Sequence, residues 1–239
     1  MIKALFWKEW CEQRWKLAYG CVILVGFTLI GIRSRLTPDE FIVIFASAGG
    51  SILMALLVGM GLIATEKSEG SLAMLLALPV RSWKIFAVKM AMGALVCALP
   101  IIGCMTVSLV VAGGRELNVT RIIVAYLGGI TFSVVMLVWM VAFSIRQPSE
   151  ARAGLVGIGV FIGWVFIVFL FVNMFFERPP LVLWGMVITP LGILQFAASG
   201  GRWLLYRLSL WAMIVQAAVL IFLLLWGGYR FGKERRFKV

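Results

Sequence analysis

Residues 90–112 read MAMGALVCALPIIGCMTVSLVVA. No charged side chain interrupts this run, and as a helix rising about 1.5 Å per residue it crosses the roughly 30 Å hydrocarbon core of a bilayer. Five more apolar runs have the length to do the same: Trp15 to Ile32, Phe41 to Ala64, Ile122 to Ile145, Ala153 to Val172 and Leu204 to Gly227. The whole chain is 63% hydrophobic and 13% charged, whereas soluble domains average about 45 to 50% apolar and 25% charged. The expected fold class is an all-α integral membrane protein with six transmembrane helices. It forms a single membrane domain over residues 1–239, with loops too short to hold a separate soluble domain.

One further stretch, Leu181 to Ala198, has the length of a span but carries Pro190 and Gly192 in its middle and Gln195 just after them. The positive charges decide how to read it, because Lys and Arg accumulate in cytoplasmic loops. With six spans and the N-terminus inside, fifteen of the 22 Lys and Arg residues fall on the cytoplasmic side. They lie before residue 17, between Lys67 and Lys89, at Arg146 and Arg152, and in the tail from Arg230 to Lys238. Seven fall outside: Arg33, Arg35, Arg115, Arg121, Arg178, Arg202 and Arg207. A seventh crossing would send the basic tail outward. The outer loop over 174–203 is therefore expected to hold a short re-entrant helix pair that turns at Thr189-Pro190 before span six. Both termini are expected in the cytoplasm.

The net charge of +12 is explained by this orientation, and nucleic-acid binding is not expected. The chain has no histidine, and Cys11, Cys21, Cys97 and Cys104 form no Cys-x-x-Cys pair. No metal site is expected, and the cysteines read as apolar filler. No Asp, Glu, Lys or Arg falls near the middle of a span, so the usual mark of an ion path or proton relay is absent. A hydrophobic or amphiphilic substrate suits such a wall better than a small ion. The same poverty of convergent acid, base and nucleophile argues against an intramembrane enzyme.

Two segments outside the spans carry polar information. Residues 1–16 place Glu9, Glu12, Gln13 and Lys16 on one side of a helix, with Trp7, Trp10, Cys11 and Trp15 broadly opposite. This reads as an interfacial helix lying along the membrane, not as a cleaved signal, whose leader would be basic and free of acids. The loop over 65–84 reads TEKSEGSLAMLLALPVRSWK. Its acidic start leads into a short helix with Leu72, Leu75 and Leu76 at i, i+3 and i+4, stopped by Pro79. Such an apolar ridge must be covered by lipid, by the chain itself or by a partner.

This loop resembles the one after the second span in the membrane subunits of ABC-2 type ABC transporters, which runs Glu-x-x-x-Gly-Thr-Leu, a Leu-rich turn, then Leu-Pro-(Val or Leu)-Ser-Arg. The matching residues are Glu66, Gly70, Ser71 in place of Thr, Leu72, Leu75, Leu76, Leu78, Pro79 and Val80, while Arg81-Ser82 inverts the usual order. Phe6-Trp7-Lys8-Glu9-Trp10, the number of spans and the Thr189-Pro190 break extend the resemblance. It implies a permease subunit, an exporter, in the plasma or inner membrane. In that family two permease chains, identical or different, pair around the translocation route, and a separate ATPase in two copies binds ATP-Mg. It also implies that the ATPase is contacted by the interfacial helix, through Trp7, Glu9, Trp10 and Glu12, and by a coupling helix, through Glu66, Glu69, Gly70, Ser71, Leu72, Leu75, Leu76, Pro79 and Arg81. The chain has no phosphate-cradling Gly-x-x-x-x-Gly-Lys-(Ser or Thr) loop, so it is not expected to hydrolyse ATP or hold a cofactor. Two other readings stand beside it: an ABC-like subunit that transmits ATP-driven motion to an assembly or maturation process, and a passive channel, which leaves the amphipathic loop without a role.

Overall fold

The computed structural model describes residues 2–34, 42–43, 45–77, 80–112, 119–174 and 203–236. Seven α-helices are described: α1 (Ile2–Ser34), α2 (Gly50–Ser68), α3 (Ser71–Ala77), α4 (Ser82–Ala112), α5 (Val119–Ser144), α6 (Glu150–Met174) and α7 (Trp203–Arg236). A π-helical turn, Phe45–Gly49, leads directly into α2. Six of these helices are long and apolar enough to cross a membrane. The short α3 lies between the second and third of them.

The expected boundary between an interfacial helix and span one does not exist, since α1 is a single helix of 33 residues. Nothing near Lys16 can break it, for the nearest glycine is Gly20 and the first proline is Pro38. At about 1.5 Å per residue α1 is about 50 Å long, so a substantial part must project beyond a core of about 30 Å. The re-entrant pair expected at Thr189 and Pro190 lies outside the described residues.

α1 packs along α4, α2 against α5, α4 against α5, and α6 against α2 and α5, while α7 touches both α4 and α5. The main core runs through Leu24, Met54, Leu62, Val96, Ile101, Tyr126 and Leu137, and a second cluster around Ala55, Phe132, Met136 and Met140 reaches Phe161 and Trp164 of α6. Glycines permit the closest approaches: a Cβ on Gly59 would stand 2.6 Å from Met140 Cβ, and one on Gly157 would stand 2.8 Å from Met140 Sδ. By contrast, Cβ atoms added at Gly159 and Gly163 would meet nothing within 4 Å. Their four-residue spacing, which suits close packing of helix backbones, is not used for contact among the described residues.

The buried hydroxyls are paired as a membrane interior requires. Thr28 donates to Leu24 O within its own turn, whereas Ser51 donates to Gly129 O across helices at 2.7 Å and Ser133 lies 3.3 Å from Ser51 O. Tyr126 and Ser108 share a bond of 2.9 Å. The outward faces are apolar, with Val22 and Ile30 of α1, Leu155 and Ile162 of α6, and Phe222 and Leu225 of α7 all exposed. Lipid is the solvent in which such faces cost nothing, while the backbone bonds stay inside the helices.

Gly129 offers a first test. A Cβ there would lie 2.8 Å from Ser47 O and 3.1 Å from Ser51 Oγ, against the backbone of the π turn and the first residues of α2. Gly129→Ala is expected to destabilise the folded chain by about 1–3 kcal/mol through overpacking, read as a lower unfolding midpoint in detergent. Gly159→Ala, entering open space, should leave the midpoint unchanged.

Candidate functional site

Among the described residues, the ion pairs converge at one end of the bundle. Lys89, two turns into α4, is 1% exposed, and its Nζ lies 2.7 Å from Glu9 Oε1 of α1 and 2.8 Å from Glu66 Oε1 of α2. Lys8 completes the set, with its Nζ 2.7 Å from the same Glu66 oxygen and 2.8 Å from Glu12 Oε1. Glu9 and Glu66 are buried as deeply as the apolar core. Two ammonium groups thus hold three carboxylates, and three helices distant in sequence are tied by charge-assisted bonds.

A second group lies beside the first. Thr65 donates to Glu150 Oε2 at 2.8 Å, and Lys16 Nζ stands 4.0 Å from Glu150 Oε1. Gly61 makes this possible, because a Cβ there would collide with Lys16 Nζ. Lys67 donates to Ile145 O, just past the end of α5. Together these contacts attach the start of α1 and the end of α2 to the start of α4, the end of α5 and the start of α6. Phe86 of α4 also stacks on Phe231 of α7 at 5.9 Å between centroids. The beginning of α1 and the end of α7 therefore lie at the same end of the bundle, as an even number of crossings requires.

α3 hangs from this network. Gly70 closes α2 with φ +77°, a left-handed conformation that glycine alone adopts without strain. The Glu69 amide donates to Thr65 O at 2.9 Å and the Gly70 amide to Lys67 O at 3.3 Å. Ser71 Oγ stands 3.5 Å from Glu66 O as α3 begins.

The structure distributes the expected site residues unevenly. Glu9, Glu12 and Glu66 come together, and Glu9 and Glu66 are paired with Lys89 inside the chain. Glu12 remains exposed, Trp7 is 68% exposed and Trp10 is half-buried. Leu72 and Leu75 are likewise covered by the chain itself, in the core cluster that holds Leu5, Ile85, Phe86 and Phe231. At Leu72 and Leu75 the expected ridge is thus not an open surface: among the described side chains, α3 and its approach expose Ser68, Glu69, Gly70, Met74 and Ala77. Met74 is 79% exposed. Arg81 is exposed, and its carbonyl accepts from the Lys84 amide at 2.8 Å where α4 starts. Leu76 belongs to α3 with a side chain outside the described residues, and Pro79, Thr189 and Pro190 lie outside them altogether.

Sequence reasoning missed Lys89, Lys8, Gln13, Lys16, Thr65 and Glu150 as members of the site. Lys89 left one signal: it sits eight positions into a helix beginning at Ser82, where burial is tolerable only with a counter-charge. The carboxylates of Glu9, Glu12 and Glu66 are spaced closely enough to hold a metal ion, but Lys8 and Lys89 already supply cations to the Oε1 atom of each. Glu9 Oε2, Gln13 Oε1 and Glu66 Oε2 are buried and have no partner among the described residues.

The fold and this site define a helical multi-pass membrane protein with a buried network of ion pairs at one end of its described bundle. No protein-family model matches the chain, and no curated protein matches it either.

Proposed function

We propose that the chain is the membrane-spanning permease subunit of an ATP-driven transporter of the ABC-2 kind, an exporter, with the network end in the cytoplasm of a plasma or inner membrane. ATP-Mg is bound and hydrolysed by a separate ATPase in two copies, and a second permease chain, identical or different, completes the translocation route. The observation that carries this reading is the attachment of α3. A short helix outside the spans is fixed to α2 by one left-handed glycine, buries Leu72 and Leu75 in the bundle, and follows directly on Glu66, which Lys89 and Lys8 tie to α4 and α1. Force applied to the exposed side of α3 is passed to three transmembrane helices at once, which is what coupling to an ATPase needs. The fifteen-to-seven division of Lys and Arg supports the assignment of sides.

The test is purification of the native complex in mild detergent. A subunit carrying a phosphate loop should accompany the chain, hydrolysing MgATP in the complex, whereas the chain stripped of it should neither bind nor hydrolyse ATP. In intact cells with a cysteine-free background, Glu69→Cys should be shielded from an impermeant thiol reagent that labels Leu117→Cys. Saturable hydrolysis by the chain alone would overturn the division of labour, and outside labelling at residue 69 would overturn the assignment of sides.

A further inference from the structure

The end of α7 presents a feature that the coupling role does not use. Leu224, Gly227, Gly228 and Phe231 recur at i, i+3, i+4 and i+7 and face the bundle: both glycines and Phe231 are buried. Gly227 lies against Phe86, Gly228 lies against the Trp83 ring, and Leu224 packs on the main core. The neighbouring stripe, Trp226, Tyr229, Arg230 and Lys233, has the same spacing and turns outward, with Tyr229, Arg230 and Lys233 exposed. Two guanidinium groups converge on its indole: Arg146, from the turn after α5, is 5.1 Å from the Trp226 ring centroid, and Arg230 is 5.6 Å from it. Neither arginine forms an ion pair among the described residues. Arg81 and Lys84, also exposed, flank Trp83 where α4 meets this end of α7.

Stacking on an indole attracts each guanidinium individually, but two like charges around one ring repel each other. A shared anion removes that repulsion and can take a bidentate bond from either fork. Trp83 and Tyr229, amphipathic rings exposed at the same level, are the residue types that settle at the headgroup region of a bilayer. We propose that Arg146 and Arg230, held about Trp226, form a binding site for the phosphate of an anionic phospholipid headgroup, with Arg81 and Lys84 enlarging the basic surface. The proposal needs this end of the bundle to meet a membrane surface and does not depend on an ATPase, so its failure and that of the permease reading are distinguishable.

The experiment uses the full chain in neutral detergent, titrated with phosphatidylglycerol and, in parallel, phosphatidylcholine, with retained lipid counted by native mass spectrometry. Phosphatidylglycerol should be retained in preference, and its retention should fall with added sodium chloride as screening weakens the contact. Each basic residue near a membrane surface contributes about a fivefold preference for anionic lipid, so Arg146→Gln with Arg230→Gln should weaken retention by about tenfold or more. Arg33→Gln with Arg121→Gln, at the opposite end of the bundle, should leave it within about twofold, since neither neighbours the site. Equal retention of the two lipids, or equal loss in both double variants, would overturn the proposal. Displacement of the lipid by millimolar inorganic phosphate would show a free-phosphate site and overturn the lipid assignment.

Discussion

Lys89→Met is expected to be the most destabilising single exchange in the polar network. Lys89 is a counter-ion of two buried carboxylates, those of Glu9 and Glu66; a hydrophobic side chain of similar length fills its volume but leaves Glu9 with no cation closer than Lys8 at 3.8 Å, while Glu66 keeps Lys8 at 2.7 Å. Removing one member of a buried ion pair costs about 3–5 kcal/mol, chiefly because the remaining charge is buried and uncompensated. The loss should appear as a lower midpoint in a denaturant titration of the purified chain. Adding Glu9→Gln to Lys89→Met removes the uncompensated charge and should recover most of the lost stability. Wild-type stability of Lys89→Met alone would mean that this ammonium is not what holds α1, α2 and α4 together.

The second large effect separates two adjacent residues of α3. Met74 is 79% exposed and Leu75 is 5% exposed, so the same substitution should have different consequences at each. Leu75→Asp places a carboxylate in the core of the chain and should lower its unfolding midpoint before any partner is involved. Met74→Asp should leave that midpoint unchanged and act on the proposed ATPase contact. Burial of one such apolar side chain contributes about 1.5–3 kcal/mol, and about 1.4 kcal/mol is tenfold in affinity. Association of the ATPase should therefore weaken by tenfold or more. Retention of the full complex and of transport by Met74→Asp would remove the exposed side of α3 from the coupling surface.

The spans were legible because each depends only on its own residues: a continuous run such as 122–145 has one low-energy state in lipid. The site was less legible because its contacts join residues remote in sequence. Glu9 and Lys89 are 80 positions apart and Lys8 and Glu66 are 58 apart, and no local pattern records such a pairing. The helical period places Glu9, Glu12, Gln13 and Lys16 on one side of residues 1–16, of which Glu9 and Gln13 are buried and Glu12 is exposed. It could not show that Glu9 points inward, because that depends on Lys89 being present on α4. For the same reason the Leu72 and Leu75 ridge was recognisable as something to be covered, while its cover, the protein's own core, was not. At the other end of α2 the π turn gave no sequence signal either, since it is matched by the missing side chain of Gly129 on another helix.

The unbroken course of α1 has a mechanical consequence. In the proposed coupling role, a helix of 33 residues with no proline, joined at Glu9 to Lys89, would serve as a strut: a displacement imposed at its charged end would reach Arg33 with little lost to bending. α2 begins from a π turn, a winding that can relax toward the α form, so the same displacement entering through Glu66 can be taken up there by a change of pitch. The two helices leave the network as a stiff arm and a compliant arm. Under the proposed coupling role, a single push at that end would become unequal travel at the other, a difference in motion between the two helices and not a rigid shift of the whole bundle.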